Sequence, residues 1–438
     1  MADFRLPVHQ HQVKVNGRDY LSDGRGMFVV TNAADITEFQ KLGAIRDGGV
    51  ASVPEWSDST GTALVGPDGA TKWFTSAAGV SASAAFNRRM ALKLASIWDA
   101  TLPSPPPIIL FKGDSTFSGT KTAGLDHIDG RKNSFVAQLA KSLTAAGLPA
   151  THEAFLGGRI ATTLAEYNEY DPRVSIGAGW SIGGPALGVI RFYTTGSNPI
   201  AFTPTTSFDR ILVIYTGYSG AGTFDINVDG GANIATTDTT GADRIGLAVF
   251  SVTAGTHTIN LTRASGTVQI NGMAVWNSTE RGLMLINGSA GGATTTVLAN
   301  DVASYSNLNG AGYLLPIATV LSQGINDIYL SAVPIATVKA NLQLQITEAK
   351  TTGECILVTP PPLELVDFPN QLALETAYAE LAEANDCALM RSRDLFYDAA
   401  TGESEGLLAA DQVHPTIPGT GVWAQRLTRA FMGWAAGQ

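Results

Sequence analysis

The chain has 438 residues, 45% of them hydrophobic and 15% charged, which is enough for a sizeable core in two or three domains and argues against global disorder. A formal net charge of −10 with a pI near 5.1, and no local Lys/Arg cluster, argues against nucleic acid as a partner and favours a neutral substrate. Cys355 and Cys387 are too few for a disulfide framework or a zinc cluster. They read as buried free thiols, with a single bridge between neighbouring strands as the alternative.

The opening segment, MADFRLPVHQHQVKVNGRDY, lacks the basic start and apolar run of a secretory signal, and no stretch approaches the roughly 18 apolar residues of a membrane span. The expectation is a soluble chain with no membrane partner, extracellular or virion-associated, with the cytoplasm left open. Residues 1–80 mix short alternating pieces with Gly/Asp turns and read as a small β-rich or mixed domain. Phe86, Met90, Leu94, Ile97 and Trp98 then recur at helical spacing, and Pro103 to Pro107 read as a semi-rigid linker, so residues 81–107 are helix plus linker.

Ile108-Ile109-Leu110-Phe111 is an apolar run of the kind buried in parallel sheets, and it opens into Lys112-Gly113-Asp114-Ser115. A helix is expected from Phe135 to Ala146, stopped by Gly147, and a second strand near Thr151–Leu156. From 165 to 280 the pattern changes to short two-residue alternations separated by Gly turns, which predicts an antiparallel sandwich. Strand–helix alternation resumes with strands at 283–286, 317–321, 355–358 and 388–390. Helices are expected at 335–350 and 372–385. The fold class predicted is α/β: a parallel sheet flanked by helices over 108–164 and 281–438, interrupted by the sandwich.

Ser115 follows a strand end, where open parallel sheets present reactive groups. Asp411-Gln412-Val413-His414 lies in a loop before a last helix, and Asp and His at this spacing let the carboxylate fix the imidazole's tautomer while the other nitrogen faces a serine. Gly113-Asp114-Ser115, the segment Ile286-Asn287-Gly288-Ser289-Ala290-Gly291-Gly292-Ala293-Thr294-Thr295, Gly324-Ile325-Asn326-Asp327, and Asp411 to His414 stand in that order. Together they resemble the four blocks of the SGNH (GDSL-type) serine hydrolases, over about three quarters of the chain.

The resemblance implies a flavodoxin-like sheet, Ser115 as nucleophile, His414 as base and Asp411 as its orienter. It implies an oxyanion hole made of the Ser115 N–H, the Gly292 N–H and the Asn326 side-chain amide, and it implies neither metal nor cofactor. Glycine suits that role because it lets a backbone N–H approach a substrate oxygen closely. Roughly 170 residues separate the first two blocks, against little in the family, and Gly158, in Phe155-Leu156-Gly157-Gly158, is the alternative oxyanion glycine at the more usual distance. Asp327 reads as a cap of the following helix and a brace for its loop.

Other candidates read as structural. Gly179-Trp180-Ser181-Ile182-Gly183 fits a nucleophile elbow, but Gly184-Pro185 follows where a helix should start, so it reads as a turn at the sandwich edge. His9 and His11 lack a third ligand, and His127, His152 and His257 stand alone. Asp225-x-Asn227-x-Asp229-Gly230 has Thr236 where a calcium loop needs a bidentate Glu, so it reads as a hairpin. The aromatics Trp180, Phe192, Tyr193, Tyr215 and Tyr218 read mostly as sandwich core, with stacking of exposed ones on sugar faces as the alternative, by analogy with carbohydrate-binding sandwiches.

The function expected is ester hydrolysis through an acyl-enzyme, with an O-acetylated polysaccharide or another ester as substrate. The alternatives are a non-catalytic carbohydrate-binding or adhesion protein on a hydrolase scaffold, and a lipase or thioesterase using the same residues. Met27 to Ile36 and Phe39 to Ala44 resemble attachment segments of phage tail proteins, which implies a virion-borne esterase assembled as a homo-oligomer, in that setting a trimer.

Overall fold

The computed structural model describes residues 2–5, 12–15, 18–21, 27–30, 45–46, 64–65, 71–75, 79–98, 105–120, 128–157, 163–184, 186–299, 304–363 and 368–436. Residues 1–85 and 86–438 form two compact units. In the first, Ala2–Arg5 pairs antiparallel with Met27–Val30 and Ile45–Arg46, Gln12–Val15 pairs with Arg18–Leu21, and Thr71–Thr75 pairs with Leu64–Val65 and Val80–Ala82. Of the segments that resemble phage attachment sequences, only the Met27–Val30 strand lies within the described residues.

The second unit is organised by parallel strands β1 (Ile108–Gly113), β2 (Ala150–Thr151), β3 (Leu283–Asn287), β4 (Ala318–Ser322), β5 (Glu354–Val358) and β6 (Ala388–Met390). Their order is β2-β3-β1-β4-β5-β6, and every neighbouring pair is parallel. Strand β1 is flanked by β3 on one side and β4 on the other. The chain therefore winds outward in both directions from β1, and the crevice beyond the carboxyl ends of β3, β1 and β4 is the switch point where such sheets hold ligands.

Successive residues of β1 serve opposite faces. Phe111 joins an aromatic cluster with Phe117, Phe135 and Trp423, in which the Phe117 and Phe135 rings stack at 4.7 Å. These rings dock α2 (Phe135–Ala145) and α6 (Ile417–Ala435) on the sheet; α1, α3, α4 and α5 are Ser115–Ser118, Ile325–Tyr329, Ile335–Thr352 and Phe368–Asn385. Ile108 and Leu110 point the other way and meet Met284, Ile286, Leu212, Ile214, Ala274 and Trp276. Part of that face is thus covered by an antiparallel sheet rather than by helices.

That sheet runs Trp180–Gly183, Arg191–Thr194, Val268–Trp276, Phe208–Gly217, Arg244–Gly255, and a second runs Val174–Ile176, Ile200–Phe202, Ile259–Ser265, Thr223–Val228, Ala235–Asp238. The two form the sandwich inserted between β2 and β3. Its core takes Ile211, Val213 and Met273 from the first sheet and Phe202, Phe224 and Leu261 from the second. Leu212 and Ile214, between those residues, turn to the parallel sheet. Strand Phe208–Gly217 is therefore buried on both faces, a requirement that fills it with apolar residues.

Two expectations change, at Thr151–Leu156 and at Ser181. The strand expected at Thr151–Leu156 is split: Ala150–Thr151 pairs with β3, whereas Ala154–Leu156 pairs antiparallel with Val268–Trp276 and belongs to the sandwich sheet. Residues 103 and 104 of the expected linker lie outside the described residues, and the expected helix is Ala84–Ala95. From Phe86 onward it packs on the second unit, with the Phe86 ring 5.5 Å from Trp434, the Trp434 indole donating to Asn87 at 2.8 Å, and Arg89 forking onto Glu354 at 2.7 and 2.9 Å. Ser181 lies on an edge strand rather than in a turn. Cys355 and Cys387 are buried and free, and burial pushes the Cys355 thiol well above its ordinary value.

Candidate functional site

Strand β1 delivers Ser115 into the crevice through a turn that only glycine permits. A Cβ on Gly113 would lie 2.9 Å from both Phe117 Cβ and Ser322 O. Asp114 then caps α1: its Oδ1 accepts from Thr116 N at 3.0 Å and Thr116 Oγ1 at 2.8 Å. Its other oxygen has no partner among the described residues, and burial raises this carboxyl to about 6. Ser115 is only 6% exposed.

The loop before α6 brings His414 to this serine, 299 residues away, with Nε2 2.8 Å from Ser115 Oγ. His414 Nδ1 lies 2.8 Å from Asp411 Oδ2, and Asp411 Oδ1 accepts from the Val413 and His414 N–H groups at 3.0 Å each. The turn is closed by Ala409 N donating to His414 O at 2.8 Å and by Gln412 in the left-handed region at φ 55°. Burial alone would raise the Asp411 carboxyl. The bonds from the His414 ring and the two backbone N–H groups outweigh it and hold the group well below the usual carboxylate range. An ionised Asp411 only accepts, so Nδ1 carries the imidazole proton and Nε2 is left to accept from Ser115 O–H.

Two loops from the flanking strands complete the crevice. After β3, Gly288 N and Ala290 N donate to Phe111 O and Gly113 O at 2.9 Å each, lacing the glycine segment to the β1 turn. Gly292 adopts φ +68°, and a Cβ there would meet nothing within 4 Å. Open space therefore lies beside it, while its backbone conformation is one that L side chains rarely adopt. After β4, Asn326 donates from Nδ2 to Ala293 O at 3.0 Å, which ties it to the residue next to Gly292 and leaves its second amide hydrogen for another acceptor. Among the described residues, neither the Ser115 N–H nor the Gly292 N–H has a hydrogen-bond partner.

Asp327 braces its loop as expected but is not the expected cap. It does not cap its own helix, whose N-cap is Gly324; instead it accepts from Thr295 N at 2.8 Å and Thr295 Oγ1 at 2.6 Å. It thus pins the end of the glycine segment to the Asn326 turn, and burial raises its carboxyl. Asn287 braces the same segment, donating to Phe117 O at 3.1 Å and accepting from Ser289 N at 3.1 Å. Arg131, 2% exposed, donates to Asn287 O at 2.8 Å. Sequence reading missed Arg131 because it sits in no motif, within the polar stretch Asp129-Gly130-Arg131-Lys132-Asn133.

The remaining candidates lie elsewhere. Gly158, His9, His11 and His127 fall outside the described residues. Its neighbour Gly157 is engaged by the sandwich sheet, donating to Asn271 O at 2.8 Å. His152 is half-buried, and desolvation together with Arg173 lowers it to about 4. Asp229 accepts from Thr258 N at 2.9 Å and faces His257, so the calcium-like stretch is a hairpin. Among the described residues, no three His, Cys, Asp or Glu side chains converge as metal ligands.

A peptidoglycan O-acetylesterase structure aligns with this chain at a TM-score of 0.62 and 15% identity, over 82% of this chain and 99% of that one. Family two carbohydrate esterases from Cellvibrio japonicus and from Clostridium thermocellum, the latter in complex with cellohexaose, align at 10% and 12% identity. They cover 60% and 64% of this chain and 97% and 99% of theirs, each with a TM-score of 0.28. No protein-family model matches the sequence, and no curated protein matches it. The chain has the α/β fold of the SGNH esterases, with antiparallel sheets as an inserted domain.

Proposed function

We propose that this protein is a serine esterase acting through an acyl-enzyme, and that its substrate is an O-acetylated polysaccharide. The observation that carries the reading is the unbroken line from Asp411 through His414 to Ser115, with 2.8 Å at each of its two steps. Ser115 Oγ attacks the ester carbon while its proton passes to His414 Nε2, and the imidazolium is stabilised by Asp411. The tetrahedral oxyanion takes hydrogen bonds from the Ser115 and Gly292 N–H groups and from the free Asn326 amide hydrogen. A preorganised donor of this kind is worth about 10²–10³ in rate.

Collapse sends the proton from His414 to the departing sugar oxygen and leaves the acetyl group on Ser115. Water, giving its proton to His414, then releases acetate and restores the serine. Support for the acetylated glycan comes from the peptidoglycan O-acetylesterase likeness over most of the chain and from a sandwich built into the catalytic unit. The test is hydrolysis of p-nitrophenyl acetate and p-nitrophenyl octanoate by the wild type and Ser115→Ala. Acetate turnover that falls by about 10⁴ or more in the variant is expected. Preference for octanoate would move the reading to a lipase-like substrate, and turnover surviving in folded Ser115→Ala would refute it.

A further inference from the structure

The turn that carries Ser115 is a single helical turn, so its carbonyls cannot all be satisfied from within. Ser115 O accepts from Gly119 N, Thr120 N and Ser118 Oγ, and Phe117 O accepts from Asn287 Nδ2. Ser118 O accepts from the hydroxyl of Tyr170 at 2.8 Å. Tyr170 does not belong to the parallel sheet or its helices. It ends the helix Leu164–Tyr170, which leads into the inserted sandwich and is fixed at its start by a capping box between Thr163 and Glu166.

Tyr170 is fully buried, and its place is set on several sides. The Arg131 guanidinium lies 5.1 Å from its ring centroid, and the Tyr167 ring stands edge-on at 5.8 Å. Gly130 presses its bare Cα on the ring: a Cβ there would come within 2.7 Å of Cδ2 and Cε2. Gly119, which closes the Ser115 turn, is seated equally tightly on Gly130, where a Cβ would lie 2.1 Å from Gly130 O. Tyr170, Gly130 and Gly119 therefore form a stack with no slack between insertion and nucleophile turn. Burial raises the phenol to about 12, so the hydroxyl stays a donor.

We propose that Tyr170 is a positioning residue for the reaction: through its bond to Ser118 O, the insertion sets the angle at which the Ser115 turn presents Oγ to His414. The inference rests on the esterase reading. A hydroxyl misplaced by a fraction of an ångström loses rate without losing ester affinity.

Tyr170→Phe removes only the donor. Tyr167→Phe is its control, because Tyr167 donates to Gly157 O at 2.8 Å from the same helix without touching the nucleophile turn. With p-nitrophenyl acetate, Tyr170→Phe is expected to lower kcat about tenfold at unchanged KM, and to slow inactivation by a fluorophosphonate in parallel. Tyr167→Phe is expected to lose similar thermal stability and keep its kcat. Equal kcat losses in both variants, or none in Tyr170→Phe while the wild type is active, would overturn positioning and leave the esterase reading standing. A wild type inert to every ester tried would sink the reading and this inference with it.

Discussion

In the sandwich hairpin His257 Nδ1 meets Asp229 Oδ2 at 2.6 Å, much as His414 Nδ1 meets Asp411 Oδ2 at 2.8 Å at the end of the parallel sheet. The pairs diverge at the other nitrogen. His257 Nε2 faces Thr253 O at 3.0 Å, a carbonyl that only accepts, so both ring nitrogens are asked to donate. The doubly protonated ring is favoured, and the Asp229 bond chiefly raises the His257 value. His414 Nε2 instead faces a hydroxyl, which can donate to it. An Asp–His pair is therefore a hairpin clasp or a candidate base according to its third atom.

Replacing the carboxylate in each pair tests that difference most severely. In Asp411→Asn the amide presents an N–H toward Nδ1, which moves the imidazole proton to Nε2 and removes the acceptor for Ser115 O–H. Ester turnover should fall by about 10⁴ with the fold retained. Asp229→Asn should leave kcat on p-nitrophenyl acetate within about twofold, since that pair only ties the hairpin. Comparable losses in both variants would erase the distinction between clasp and base.

The sequence exposes these pairs unequally. Asp411 and His414 lie three residues apart in one turn, so their pairing can be read from a short motif. Asp229 and His257 are 28 residues apart and meet only because Thr223–Val228 and Ile259–Ser265 pair across the second sandwich sheet. The same limit hid the Asp327 bonds to Thr295, which span 32 residues and two loops. Strand Phe208–Gly217 is an apolar run in the sequence, and such a run cannot say which residues face which neighbour. Ala154–Leu156 was misassigned because an apolar triplet fits a parallel or an antiparallel partner equally well, and His152-Glu153 separate it from Ala150–Thr151, which pairs in the other sheet.

The two regions that house the pairs share a core, and this predicts that they do not melt separately. Ile214 is fully buried between the sandwich sheet and β1 and β3. Ile214→Ala should cost about 2–5 kcal/mol, and urea unfolding followed by tryptophan fluorescence and by ester turnover should shift together. Activity outlasting a separate sandwich transition would show that the insertion is an appendage, contrary to the shared Leu212 and Ile214 packing.

The smallest expected effect concerns pH, where the two pairs should respond differently. Asp411 is held below its ordinary value, so its contribution to stability is complete above the unfolded value of about 3.9 and is lost only as pH falls through the lower folded one. Between pH 5.5 and 9 the difference in Tm between wild type and Asp411→Asn should therefore owe nothing to Asp411 titration. His257 is raised, so its contribution is complete below about 6.5 and fades as pH climbs through the folded value. The stabilisation lost in His257→Gln should then be greatest at pH 5.5 and shrink toward pH 9, and only slightly, because the pair is near the surface and screened by water and salt. A His257→Gln difference that grows with pH would mean the ring is held neutral, with Thr253 O accepting from Nε2–H and Asp229 left as an anion beside an unprotonated nitrogen.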